Sequence, residues 1–251
     1  MKDRDNLESS VDRREFVKLC MGAVALGTHG AAFSAADATA RTYRRSLLVG
    51  PGGSPLRIAE LVPGENYIFH YPYVTTPCFL LDLGEAVTRE ARLQTESGTT
   101  YTWRGGVGPS TSVVAFSAIC AHKMTHPAKS VSFINYRHER VRFQDGKRRQ
   151  QEGSHVIYCC SERSIYDARQ GARVLGGPAK QPLAAIQLEY EAARDQLFAV
   201  GTYGGEMFNK FFAKFTSRLQ LEYQTSDVTR FVAAETEVVP LDEYCATQVL
   251  C

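Results

Sequence analysis

With 251 residues, the chain is long enough for one moderate hydrophobic core and an appended segment. Its 44% hydrophobic and 22% charged residues are typical of a globular protein, and seven cysteines are too few for a disulfide scaffold of this length. The formal net charge of +2 gives no strong attraction to polyanions, so we predict no nucleic-acid partner.

Residues 1–38 have the order of features found in export signals. The segment Arg13-Arg14-Glu15-Phe16-Val17-Lys18 precedes an apolar run, and small residues follow up to Ala38. This order resembles a twin-arginine signal, and Ala36-Asp37-Ala38 fits a cleavage site. We therefore expect a periplasmic protein, and retention of the segment as an inner-membrane anchor stays open. The alternative interpretation is an amphipathic N-terminal helix.

Short runs of aromatic and aliphatic residues, separated by Pro and Gly, predict strands along the rest of the chain. The predicted strands are Tyr67–Pro72, Cys78–Leu83, Thr99–Arg104, Val113–Ile119, Val156–Tyr158, Leu188–Glu191 and Gln196–Val200. Many short strands with turns between them indicate an all-β domain, which we place at residues 39–203.

Residues 204–251 have a different pattern and are predicted to form a C-terminal extension. Apolar residues recur with helical spacing between Gly205 and Leu219, which predicts one amphipathic helix. This helix packs on its own domain or, alternatively, covers a partner subunit. In the tail, Val228–Val232 is predicted as a strand. Cys245 and Cys251 either form a disulfide or remain free thiols.

Two segments combine the side chains that bind metals. They are Cys120-Ala121-His122 and Cys159-Cys160-Ser161-Glu162-Arg163-Ser164-Ile165-Tyr166-Asp167, and each follows a predicted buried strand. A Cys and a His close together in one loop, with a second Cys-led loop further on, indicate a mixed Cys/His iron–sulfur site.

The second segment resembles the pattern C-x-x-H-G-S-x-Y-D of Rieske [2Fe–2S] proteins, with Glu162 at the position of the second histidine. Phe116 to Cys120 resembles the entry into the first loop of that family, and Gly176-Gly177-Pro178-Ala179 resembles its proline loop. The resemblance covers residues 47–201. It implies a Rieske-like antiparallel sandwich with a cluster-binding subdomain.

The resemblance also implies a [2Fe–2S] cluster and its ligands: Cys120, His122, Cys159 and Glu162, with Cys160 as an alternative to Glu162. The hydroxyls of Ser164 and Tyr166 are implied to bind a bridging sulfide and a cysteine sulfur, which raises the reduction potential. A carboxylate ligand is expected to lower that potential. Thr125 and Ser161 occupy the positions of two cysteines that bridge the loops in many family members, so this bridge is absent.

The stretch from about residue 130 to residue 153 is rich in arginine and lysine and makes the spacing between the two loops long. Asp145-Gly146 predicts a hairpin turn within it. We interpret the stretch as an inserted, solvated surface hairpin. The alternative is a docking patch for an acidic redox partner.

Together these features predict an exported electron-transfer subunit of a periplasmic or membrane-bound oxidoreductase rather than a stand-alone catalyst. Its expected partner is a redox protein, either a cytochrome or an oxidoreductase large subunit. Two alternatives stay open. One is a structural subunit of the same fold without a cluster. The other is a mononuclear zinc site formed by Cys120, His122, Cys159 and either Cys160 or Glu162.

Overall fold

The structure, a computed structural model, describes residues 40–87 and 89–251. The export signal predicted at residues 1–38 lies outside the described residues. Within those two ranges, the helices are too short or too polar to cross a lipid bilayer.

Strands make up most of the regular structure, as the sequence predicts, and the all-β class with a C-terminal helix is confirmed. The longer helix is α1 (Phe208–Tyr223), and a single turn, α2 (Leu241–Tyr244), follows near the C-terminus. The strands are β1 (Arg41–Val49), β2 (Tyr67–His70), β3 (Pro77–Asp82), β4 (Ala91–Gln94), β5 (Thr100–Trp103), β6 (Val113–Ser117), β7 (Ile134–Arg137), β8 (Val141–Gln144), β9 (Gln150–Gly153), β10 (Val156–Cys159), β11 (Ser164–Asp167), β12 (Arg173–Gly176), β13 (Ala185–Glu191), β14 (Gln196–Tyr203), β15 (Glu235–Glu237) and β16 (Val239–Pro240).

The larger sheet has eight strands in the order β15-β1-β14-β13-β6-β3-β2-β16. Its two edge strands, β15 and β16, are separated in sequence only by Val238, so the sheet must curl until its edges nearly meet. Alternate residues of the central strand β3 pack into different hydrophobic clusters: Phe79 and Leu81 in one, Cys78 and Leu80 in the other. The continuous apolar run of β3 therefore reflects burial of both its faces.

The smaller sheet has four antiparallel strands in the order β12-β11-β10-β7. Strands β10 and β11 form a hairpin in which Cys159 pairs with Ser164. The arginine-rich stretch contributes to two places. Ile134–Arg137 is β7 of this sheet, whereas β8 and β9 form a separate hairpin around the predicted Asp145-Gly146 turn.

Helix α1 begins three residues after the start predicted from the sequence and ends at Tyr223. Its aromatic face includes Phe208 and Phe211 and packs against Ile119 and Met124, which flank Cys120. The helix therefore supports the first metal-binding segment.

The strand predicted at Val228–Val232 is wrong. Asp227 accepts a hydrogen bond from the backbone N–H of Thr229 at 3.0 Å, which stabilises a turn at this point. Only an isolated bridge, between Tyr73 and Phe231, forms here.

Candidate functional site: two loops that meet at a cysteine pair

The two predicted metal-binding segments lie together. Loop one (residues 120–126) follows strand β6 of the larger sheet, and loop two (residues 160–163) joins β10 to β11 in the smaller sheet. Cys120 opens loop one and Cys159 is the last residue of β10. Each sheet therefore delivers one cysteine to the site, as the sequence predicts.

The side chains of Cys120 and Cys159 are fully buried, and each sulfur shifts the pKa of the other. Cys159 is the main reason that the pKa of Cys120 is lowered to about 6, and the hydroxyl of Tyr166 contributes further. The pKa of Cys159 is raised, first by Cys120 and then by burial. The opposite shifts favour the thiolate at Cys120 over Cys159, and the thiolate is the form that binds metals.

Groups of both loops also lower the pKa of the sulfurs. The backbone N–H of His122 lowers the pKa of Cys120, and the backbone N–H of Glu162 has the same effect on Cys159. The hydroxyl of Thr125 also lowers the pKa of Cys159. Because such donors stabilise negative charge on sulfur, both loops favour thiolates at this position.

Two buried polar atoms of the two cysteine-bearing segments have no protein partner within the described chain: His122 Nδ1 and Ser164 Oγ. Ser164 is fully buried and lies close enough to Cys120 to lower its pKa, yet its hydroxyl completes no hydrogen bond there. Burying such an atom without a partner costs about 1–3 kcal/mol. Both atoms belong to the cysteine-bearing segments and have free hydrogen-bonding capacity toward a bound group.

Tyr166 connects loop one to the smaller sheet. Its hydroxyl lies 3.2 Å from the sulfur of Cys120 and accepts a hydrogen bond from the backbone N–H of Ala121, also at 3.2 Å. The side chain is completely buried. Tyr166 therefore contacts a cysteine sulfur, as the resemblance implied.

Glu162 lies at the outer side of the site and faces Lys123 of loop one. Lys123 Nζ donates to Glu162 Oε1 at 2.7 Å. This hydrogen bond is the main reason that the pKa of Glu162 is lowered, and the charge interaction with His122 lowers it further. Glu162 is thus beside His122 but engaged by Lys123. Its role as a ligand stays a prediction.

As the side chains stand, no three or more His, Cys, Asp or Glu residues in ranges 40–87 and 89–251 form a ready-made metal site. The donor types nevertheless fit part of an iron–sulfur site. Two buried sulfurs and an unpartnered imidazole nitrogen supply three donors, while the fourth requires Glu162 to leave Lys123.

Cys160 forms a disulfide with Cys251, with a Cα–Cα distance of 5.7 Å. The predicted pairing of Cys245 with Cys251 is therefore wrong, and Cys245 is a free, buried thiol that donates to the carbonyl of Thr247. The alternative use of Cys160 as a metal ligand is also wrong. Adjacent residues at the end of a strand point to opposite faces, so Cys159 faces the site while Cys160 faces the C-terminal tail.

Sequence reasoning missed Lys123 and the pairing of Cys251 with Cys160, whereas Gly177 belongs to the segment that resembles the proline loop. The alternation of side chains along β10 is a signal that would have separated the roles of Cys159 and Cys160. Gly177 has φ +81°, and a Cβ there would collide with the carbonyl of Arg163. The segment after β12 therefore packs directly on loop two.

No family model matches the chain. The chain is similar to the crystal structure of the soluble domain of the Rieske protein II (soxF) from Sulfolobus acidocaldarius, with 25% sequence identity and a TM-score of 0.45. The match covers 65% of this chain and 82% of that one. Because the TM-score is below 0.5, we base the function on the residues of the two loops and not on this match.

Proposed function

We propose that the chain is a Rieske-type [2Fe–2S] electron-transfer protein and a subunit of an oxidoreductase. One observation carries the proposal. Two loops bring together two buried cysteine sulfurs, and the same segments contain an unpartnered imidazole nitrogen and an unpartnered hydroxyl. Thiolate and imidazole are the two ligand types of a mixed Cys/His cluster.

Cys120 and Cys159 would hold one iron, because their sulfurs are already neighbours. His122 would bind the other iron through Nδ1, the buried atom without a protein partner. Glu162 would complete the second pair, since it lies beside His122 once it leaves Lys123. When bound, the cluster would supply reversible one-electron transfer.

The protein's own groups set the environment of that site. The Tyr166 hydroxyl contacts the Cys120 sulfur, and Ser164 and backbone N–H groups of both loops also favour negative charge on the sulfurs. The carboxylate of Glu162 has the opposite effect, because an anionic donor disfavours added negative charge. We therefore expect a reduction potential below that of a site with two neutral imidazoles.

We propose that the redox partner is acidic and docks beside loop two. A groove of about 470 Å³ lies between the β8–β9 hairpin, loop two and Pro178. Within the hairpin, Arg142 and Arg149 pair with Glu152 and Asp145. Arg148 and Arg163, which line the groove and are exposed, have no ion pair in the described part of the chain. These two arginines would steer a negatively charged partner toward the cluster loop.

Export to the periplasm is also proposed, with anchoring to the inner membrane left open. The twin-arginine pattern at residues 1–38 supports export. The Cys160–Cys251 disulfide supports it independently, because structural disulfides persist mainly in oxidising compartments.

The mononuclear zinc site is the competing candidate. Two sulfurs, one imidazole and one carboxylate would satisfy a tetrahedral zinc ion. The two sites differ in composition, because only the cluster contains iron and inorganic sulfide.

The test is the iron, inorganic sulfide and zinc content of the full chain, expressed with its own signal and isolated without oxygen. We expect two irons and two sulfides per chain. Cys159→Ser should lose both. Cys78→Ser is the matched control, because Cys78 is equally buried but belongs to a different hydrophobic cluster. One zinc per chain without sulfide would replace this proposal with the mononuclear zinc site. A well-folded protein without iron, sulfide or zinc would favour the structural subunit without a cluster.

A further inference from the structure

We propose that the C-terminal tail (residues 245–251) is a staple that holds loop two in position through the Cys160–Cys251 disulfide, which makes Cys251 a positioning residue. The inference rests on the proposed function, because the position that matters is that of Cys159 and Glu162 relative to loop one. It assigns a role to the last residue of the chain, far in sequence from both loops.

The tail is bound along its length to the segment that leads into β7. The backbone N–H of Ser132 donates to the carbonyl of Thr247, and the N–H of Val249 donates back to Ser132, both at 2.8 Å. The side-chain amide of Asn135 donates to the carbonyl of Val249 at 2.9 Å. Residues 247–249 are therefore held by backbone and side-chain hydrogen bonds close to the disulfide at Cys251.

Loop two closes the β10–β11 hairpin, and the segment at Gly177 packs on it, but neither contact is covalent. The backbone N–H of Cys160 donates to the carbonyl of Phe133 at 2.6 Å. Lys123 and Glu162 link the two loops, but their side chains are 58% and 31% exposed, and such surface pairs contribute little. Thr125 and Ser161 leave the loops without a covalent bridge of their own. The disulfide to Cys251 is the one covalent cross-link found in the described chain.

The attachment point is next to the donors that need to be held. Cys160 directly follows Cys159 and lies two residues before Glu162. Arg163 has φ +59°, an uncommon conformation for a residue with a side chain. Contacts with neighbouring segments are therefore needed to keep loop two in this conformation. A staple at Cys160 restrains both flanking donors at once.

The first experiment measures hydrogen exchange in the metal-free full chain, so that it does not depend on the cluster. The variants are Cys251→Ser and the double variant Cys160→Ser/Cys251→Ser. Cys245→Ser is the control, because it lies in the same tail, forms no disulfide and keeps a donor for Thr247. In both test variants, we expect exchange across residues 159–164 to rise on the order of tenfold, with the control unchanged.

Two results would overturn the staple. The first is unchanged exchange in both test variants. The second is faster exchange in Cys251→Ser together with wild-type exchange in the double variant. The unpaired Cys160 thiol, and not the lost cross-link, would then be the cause.

A second readout connects the staple to the site. In metal-loaded protein, both test variants should shift the low-temperature EPR spectrum and the reduction potential, whereas Cys245→Ser should not. Failure of the proposed function would be recognised separately, as a wild-type protein without iron whose metal-free loop two is still protected by the tail. A cluster-containing wild type with identical spectra and exchange in all variants would refute the staple alone.

Discussion

The hydroxyl of Tyr166 offers the sharpest test of how the two loops are joined. Tyr166→Phe removes a single oxygen from a completely buried side chain, so the ring keeps its packing. The change deprives the buried N–H of Ala121 of its acceptor and removes the 3.2 Å contact with the Cys120 sulfur. Leaving a buried donor unpaired costs about 1–3 kcal/mol. We therefore expect the free energy of unfolding of the metal-free protein to fall by about 2 kcal/mol.

The assay is denaturant unfolding followed by circular dichroism. Tyr158→Phe is the matched control, because Tyr158 is also buried on the hairpin that carries loop two but has no hydrogen bond among the described residues. For this control, we expect the free energy of unfolding to change by no more than about 0.5 kcal/mol. The pKa of Cys120, followed by the pH dependence of alkylation, should rise in Tyr166→Phe, because the hydroxyl helps to lower it. Equal stability of the two variants, with no change in that pKa, would refute this reasoning.

Three further changes test other parts of the structure by denaturant unfolding of the metal-free protein. Cys251→Ser should lower the free energy of unfolding by about 2–4 kcal/mol, since the disulfide spans a sequence separation of 91 residues, and reductant should cause the same loss in the wild type. Gly177→Ala should cost about 2 kcal/mol more than Gly52→Ala, because both glycines have positive φ but only the Cβ at 177 collides with backbone; equal costs would contradict this. Desolvation, assisted by Lys129, lowers the pKa of His70 to about 4, so the unfolded state binds the extra proton and stability falls as the pH drops from about 6.5 toward 4. By pH 5 the contribution of His70 to this loss should be about 1–2 kcal/mol, and His70→Gln should make the pH dependence shallower by that amount; an unchanged slope in that variant would exclude His70 as a cause.

The strands that deliver the site were predictable because their signals are local. Val113–Ile119 and Val156–Tyr158 are apolar runs that end at the two cysteines, and the structure confirms strands at both places. Helix α1 was predictable for the same reason, since its aromatic residues recur with helical spacing. Within such an element, the periodicity of the apolar residues predicts which side chains share a face.

The features that escaped prediction depend on contacts between distant segments. Cys251 meets Cys160 only because the tail runs beside Ser132, and no local pattern encodes that pairing. The ion pair between Lys123 and Glu162 similarly requires the two loops to approach. The turn at Asp227 was missed because its side chain outcompetes the strand propensity of the valines that follow.

The most direct test of the central claim is pulsed EPR on the reduced protein, prepared without oxygen and labelled with ¹⁵N-histidine. A cluster held by Cys120, Cys159, His122 and Glu162 predicts a reducible paramagnetic signal with strong nitrogen coupling from one histidine. The coupling should disappear in His122→Ala, or the cluster should be lost with it. A paramagnetic signal without histidine coupling, or an iron-free protein with no signal, would contradict the account.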